Sequence, residues 1–294
     1  MTDQSALTLV NPQNGNLAFK VFPFTDNSYF DHVQRNNYFT LIWLKAGMGK
    51  VKADFSEHSF EANTLFAFSP YQPYMFLPDG EIEGIVINFH SDFFCIHKHH
   101  QEVACNGVLF HNIYKPPYLH IDEITAHSFN MLIDQIRTEM QIHGLAQHEL
   151  LVSYLKIFLI TASRLKKQQQ PDAEKALANN PEPFILQKLK DNIELHFKTK
   201  HSPSNYADLL NITPKALAKL AKNHFNKTLT DLIAERIIME AKRELYLSNK
   251  AVKEIAYELG YDDESYFSRF FKTNTSISPQ VFRDTVGFNK AATG

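Results

Sequence analysis

Cysteine is nearly missing: Cys95 and Cys105 are the only two in 294 residues. Two thiols make no disulfide framework in so long a chain, so a reducing, cytoplasmic setting is expected. No apolar run approaches the roughly 20 residues of a membrane span, so no membrane partner is expected. The opening stretch MTDQSALTLVNPQ lacks the charged region and apolar run of an export signal. Enzyme signatures are missing too. The chain shows no phosphate loop, no nucleophile–base pair and no metal triad, which argues against catalysis and against a bound cofactor. What is plentiful is apolar and aromatic residue, 44% and 13%. That is enough for packed cores and excludes wholesale disorder, and the length has room for about two domains.

Strong net charge is also lacking, at −2 overall, but its distribution is uneven. From Phe184 onward the chain carries 17 Lys and Arg against 13 Asp and Glu, so the preceding part is net acidic. The asymmetry points to a polyanion partner for the second half only.

The first half, to about Pro117, reads as β structure. Leu17, Phe19 and Val21 alternate. Tyr38 to Lys45, Val51 to Phe55, Thr64 to Phe68 and Ile82 to Phe89 are rich in β-branched and aromatic residues, with Gly, Pro and Asp turn signals between them. Short strands at near-regular spacing predict a small barrel or double-sheet jelly roll, whose interior can hold a ligand. The inward candidates are Phe39, Leu41, Trp43, Phe66, Phe68, Tyr74 and Phe76, residues that a plain hydrophobic core would equally use. Cys95, His97, His99, His100, Cys105 and His111 crowd together, but their spacing fits no structural zinc pattern, so no metal site is expected.

From Asp122 the period lengthens to 3.6. Ile124, Phe129, Leu132, Ile133, Ile136 and Met140 mark one helix. Leu150, Leu151, Tyr154, Leu155, Phe158, Leu159, Ala162 and Leu165 mark a second, joined to the first through His143-Gly144-Leu145. This antiparallel hairpin, about 122–165, has an apolar surplus on its second helix, which suits either a second subunit or full burial in one chain. Residues 166–183 are polar and proline-bounded and read as a linker.

The second half carries one pattern twice. In Ala251 to Arg283, Val252, Ile255, Ala256 and Leu259 form an apolar helix side, Gly260 stops that helix, and Asp262 or Asp263 caps the next. Tyr266, Phe267, Phe270 and Phe271 are expected inward, with Glu264, Ser265, Ser268, Arg269 and Lys272 outward. Earlier, Ser202-Pro203 opens a helix with Tyr206, Ala207, Leu209 and Leu210 apolar, and Asn211 turns the chain. Thr213 then caps a helix with Leu217, Leu220 and Ala221 inward and Lys215, Ala218, Lys219 and Lys222 outward. A helix over 229–247 lies between the units. Its 17 residues from Leu229 to Leu245 span about 25 Å, which can set two recognition helices roughly one turn of B-DNA apart. Tandem helix-turn-helix units on the basic half predict binding to double-stranded DNA.

Residues 184–285 resemble the DNA-binding domain of the AraC (arabinose-regulator) family of bacterial transcription regulators. The resemblance rests on VKEIAYELGYDDESYFSRFFK (Val252 to Lys272), SPQVFR (Ser278 to Arg283) and RIIMEAKREL (Arg236 to Leu245), about a third of the chain. Asn226 and Ser276 stand where the family usually has Gly after each recognition helix, and Lys219 stands where Arg is frequent. Lys lacks the bidentate guanine-reading fork of Arg, so the first unit should discriminate bases less than the second.

The resemblance implies an α+β chain: a cupin-like β-barrel (about 15–117) with a helical hairpin, making a sensor and dimerisation domain over 1–165. An all-α DNA-binding domain over 184–294 would follow, with helix-turn-helix units at about 203–226 and 251–275. It implies a transcription activator that takes a small-molecule effector, dimerises with itself and meets RNA polymerase. The alternative is an effector-independent regulator controlled by a protein partner on the barrel surface. Base-contact candidates are Lys215, Ala218, Lys219, Lys222, Glu264, Ser265, Ser268 and Arg269. Phosphate candidates are Lys242, Arg243, Lys253 and Lys272, contacts that position without specifying. Arg236 and Arg283 are candidates for bracing the domain.

Overall fold

The computed structural model describes residues 6–13, 15–96, 98–103, 107–142, 144–169 and 181–286. The chain divides into two compact units, the first of residues 1–112 and 116–170 and the second of 113–115 and 171–294.

Among its described residues the first unit holds nine strands: β1 (Leu7–Val10), β2 (Leu17–Phe24), β3 (Phe39–Ala46), β4 (Gly49–Ala53), β5 (Ser56–Phe60), β6 (Thr64–Phe68), β7 (Tyr74–Pro78), β8 (Glu83–Phe89) and β9 (Tyr118–His120). They form two antiparallel sheets, one six-stranded in the order β1-β2-β8-β3-β6-β9 and one three-stranded in the order β5-β4-β7. The expected barrel is therefore not closed; it is a double-sheet arrangement. After the short α1 (His100–Val103) come the long helices α2 (Glu123–Gln141) and α3 (Gln147–Gln168). Asp122 caps α2 by accepting from the Thr125 backbone N–H at 2.7 Å.

Strand pleating sends alternate side chains of the large sheet into two different cores. Phe19, Val21, Phe39, Leu41, Trp43, Leu65, Ala67, Ile87 and Phe89 pack with Phe129, Ile133, Ile136, Leu151, Leu155 and Phe158 of α2 and α3. Phe22, Ile42, Phe66, Phe68 and Val86 face the small sheet and meet Val51, Phe60, Tyr74 and Phe76. The seven pocket candidates thus do not share one interior. Phe66, Phe68, Tyr74 and Phe76 lie between the sheets. Phe39, Leu41 and Trp43 lie on the helical side, a correction that follows from their odd parity on β3.

Of the residues expected on the buried side of the hairpin, Ile124 is 82% exposed and Leu150 is exposed as well. Helix α3 runs on to Gln168, into the stretch expected as linker. Residues 170–180 of that linker, and His143 of the expected turn, lie outside the described residues. So do His97 and Cys105 of the His/Cys cluster, and the side chain of His100. Among the described residues no group of three His, Cys, Asp or Glu could hold a metal ion. None of the described helices is long and apolar enough to cross a membrane.

The second unit is helical: α4 (Pro181–His196), α5 (Pro203–Leu210), α6 (Pro214–Phe225), α7 (Leu229–Leu247), α8 (Val252–Glu258), α9 (Glu264–Thr275) and α10 (Pro279–Val286). Leu232, Ile233, Ile237, Ala241 and Leu245 give α7 a fully buried stripe, and a Thr228–Asp231 capping box starts it. Arg236, 9% exposed, lies on α7 with its guanidinium 3.8 Å over the Phe197 ring. It donates to Glu194 at 2.7 Å and to Glu240 at 3.1 Å. Arg283 donates to the carbonyls of Leu245 and Lys250, closing the open end of α7 and tying α10 to it. Both arginines brace the unit.

Candidate nucleic-acid interface

Helices α6 and α9 are copies in form. Each has 12 residues, and each residue of α6 has its counterpart fifty positions later in α9. Thr213 caps α6 by accepting from the Ala216 N–H at 3.2 Å, and Asp263 does the same for Tyr266 in α9. Leu217, Ala221 and Phe225 are buried in α6; Phe267, Phe271 and Thr275 take the matching places in α9. Both helices end on a left-handed residue, Asn226 at φ +55° and Ser276 at φ +69°.

Each helix is preceded by a shorter one and a tight turn. Asn211 at φ +53° ends α5, and Gly260 at φ +81° follows α8. Gly260 meets two demands at once. A Cβ there would lie 2.0 Å from the Lys198 carbonyl oxygen, so the turn can seat against the chain entering α5 only without a side chain. His201, in the same contact, lies tilted against the Tyr261 ring at 4.8 Å, and burial pushes its imidazole below the usual range.

The outward faces carry the residues expected there. Lys215, Ala218, Lys219 and Lys222 are exposed on α6, and Glu264, Ser265 and Arg269 on α9, with Ser268 half-buried. Among the described residues neither Lys219 nor Arg269 has a carboxylate partner, so both cations remain available to an acidic surface. Lys222 instead turns back to the Asn226 carbonyl at 3.4 Å, which spends part of its charge on closing its own helix.

Two expectations change. Tyr266 is not inward: it is 59% exposed, because the buried stripe of α9 runs through 267 and 271 and residue 266 is one helical step off it. A helical wheel separates it from its aromatic neighbours, which a run of four aromatics in six residues hides. Its ring lies beside that of Tyr261 at 5.8 Å.

The four phosphate candidates divide. Lys253 and Lys272 are exposed, Lys253 with its ammonium 5.7 Å from the Tyr257 ring. Lys242 is half-buried, 5.9 Å from the Phe282 ring. Arg243 donates to Glu240 and Glu244. Burial alone would raise the Glu240 carboxyl, but Arg243 and Arg236 outweigh it and hold the group below its usual range. Arg243 is therefore engaged within the protein.

Against known proteins, a helix-turn-helix domain model matches residues 206–285. The HTH-type transcriptional activator Btr of Bacillus subtilis is 26% identical over 252 residues, which is 82% of this chain and 43% of Btr, so the chain spans less than half of that relative. A helix-turn-helix transcriptional regulator from Pseudoalteromonas carrageenovora, encoded in the cgkA 5' region, is 30% identical over 128 residues, 42% of this chain and 74% of that protein. Among solved structures, ToxT of Vibrio cholerae aligns over 92% of this chain and 99% of its own, at 16% identity and a TM-score of 0.39.

Proposed function

The chain belongs to the AraC family of helix-turn-helix transcription regulators, and from that membership we propose that it is a sequence-specific DNA-binding activator controlled by a small effector. The observation that carries the reading is the duplication of α6 and α9. Two equally built helices each set a polar, partly cationic face over a buried core within one all-helical unit. The second helix of such a unit enters the major groove, and its exposed side chains meet base edges.

In this reading Arg269 hydrogen-bonds a guanine edge, with Glu264, Ser265, Ser268 and the exposed Tyr266 tuning its neighbours. Lys215, Ala218 and Lys219 serve the first unit, Ala218 against a thymine methyl, and Lys222 adds charge near its end. Lys253 and Lys272 take phosphates, with Lys242 a lesser contributor. Arg243 contributes only if it leaves Glu240.

The first unit is the sensor, a cupin-like double sheet whose ligand enters between the sheets near Phe66, Phe68, Tyr74 and Phe76. The hairpin makes a homodimer, a reading supported by the exposed Ile124, Met131, Leu150 and Ile157 on α2 and α3. Contact with RNA polymerase completes activation. The experiment is selection of binding sites from random duplex DNA by the full chain. Enrichment of one motif over bulk DNA supports the reading, and equal retention of all sequences overturns it.

A further inference from the structure

The face between the two sheets is apolar over most of its rows and changes character at one of them. One register row across the large sheet reads Phe22, Val86, Ile42, Phe66, all apolar. The next row on the same face reads Lys20, Asn88, Thr40, Phe68. Three polar side chains thus stand side by side where pleating aims them into the space between the sheets.

Two of them are deep. Asn88 is 1% exposed and Thr40 is 2% exposed, and the Asn88 Oδ1 has no hydrogen-bond partner. A buried amide oxygen left unpaired costs about 1–3 kcal/mol, so its retention in the centre of a sheet asks for a reason. Lys20 is half-buried at the rim. Its ammonium lies 4.5 Å from the Phe22 ring centroid and 5.8 Å from that of Tyr29, and no described carboxylate pairs with it.

Hydroxyls complete the surface. Tyr74 shares hydrogen bonds with Thr40 and Asn36, and Tyr38 shares one with Tyr29. The Tyr38–Tyr29 pair uses one O–H and leaves the other, so one neutral donor remains there. Burial raises both the Tyr74 and the Tyr38 phenols, which keeps them protonated. The Tyr74 and Phe68 rings stack at 4.0 Å and form a flat wall beside the row.

The inventory is one cation, one neutral donor, one unpaired acceptor and an aromatic wall. Neutral apolar ligands leave the cation and the acceptor unused. A simple fatty carboxylate answers Lys20 and leaves Asn88 orphaned. A molecule with a carboxylate and several hydroxyls answers all of them: the carboxylate meets Lys20, and a hydroxyl donates to Asn88 Oδ1. Lys20 and Thr40 lie on strands two apart, about 10 Å at the backbone, which suits a five- or six-carbon chain or ring.

We propose that the polar row Lys20–Asn88–Thr40 is the recognition end of the effector site and that the effector is a small polyhydroxylated carboxylate, a sugar acid. The assignment rests on the sensor reading above and adds the chemical class.

The test is calorimetric titration of the full chain with D-galacturonate and D-gluconate, beside neutral D-galactose and unhydroxylated hexanoate, on the unaltered protein and on Lys20→Met and Asn88→Leu. The expected result is binding of the hydroxylated acids alone, weakened about tenfold or more by Lys20→Met. Asn88→Leu should weaken binding while leaving the melting temperature of the free protein unchanged or higher, since it removes an unpaired buried acceptor. Galactose or hexanoate binding as tightly as the acids, full affinity in Lys20→Met, or no heat from either acid at millimolar concentration each overturn the proposal. A neutral compound that binds without regard to Lys20 leaves the sensor reading standing and removes the anionic class. That outcome separates the two failures.

Discussion

Arg269 and Lys219 are each the sixth residue of their helix, both exposed and neither held by a carboxylate. The difference between them is chemical. A guanidinium presents two parallel donors that fit guanine O6 and N7, whereas an ammonium is a point charge. Arg269→Ala should therefore cost roughly 1–3 kcal/mol on the selected site and relax the preference at one base pair. Lys219→Ala should weaken all sequences more evenly and lower the salt slope by about one unit. Competition binding on matched and mismatched duplexes checks both, and an even loss in Arg269→Ala would reduce that residue to a phosphate contact.

Side chains that depend only on local spacing were legible in the sequence. The exposed polar positions of α6 and α9 follow from a 3.6-residue period once a cap and a stop are recognised. Tyr266 was not, because a cluster of aromatics offers no polar neighbour to mark its face. The acidic partners of Arg236 were half legible: Glu240 is one helical turn away, but Glu194 arrives from α4, forty-two residues distant.

At the scale of elements, α6 and α9 differ in how they end. Asn226 and Ser276 both sit in the left-handed region, where Asn is tolerated and Ser, which carries a Cβ and no comparable preference, is strained. Ser276→Gly should raise unfolding stability by about 0.5–1 kcal/mol, part of the relief being offset by the freer unfolded chain. A denaturant midpoint that rises at unchanged slope is the expected result, and a lowered midpoint would show that Ser276 makes a contact worth more than its strain. The sheet elements show where reading a sequence stops. Strand β3 is buried from Phe39 to Leu44 without a break, so no alternation tells which parity meets helices and which meets the second sheet. Only pairing with β6 and β8 decides it. That is why Phe39, Leu41 and Trp43 were grouped with residues of the other core.

For the whole molecule, two units with separate cores agree with a chain whose net charge is also divided. The hairpin leaves apolar surface uncovered, with Ile157 48% exposed on α3. An exposed position tolerates a charge within about 0.5 kcal/mol in an isolated subunit, yet the same charge buried at a dimer seam is costly. Sedimentation should therefore find a dimer for the unaltered chain and a folded monomer for Ile157→Arg. A monomer in both, or a dimer in both, would move the dimer contact elsewhere or remove it.

The central claim is that α6 and α9 read one DNA site together. Helix α7, 19 residues long, spans about 28 Å, and with the half-widths of the units it joins that length can reach successive major grooves on one face of the duplex. Hydroxyl-radical footprinting of the full chain on its selected site tests this most directly. The account predicts two protected patches about 10 base pairs apart on the same face, one of them weakened by Arg269→Ala. A single patch, or protection without sequence preference, would contradict it.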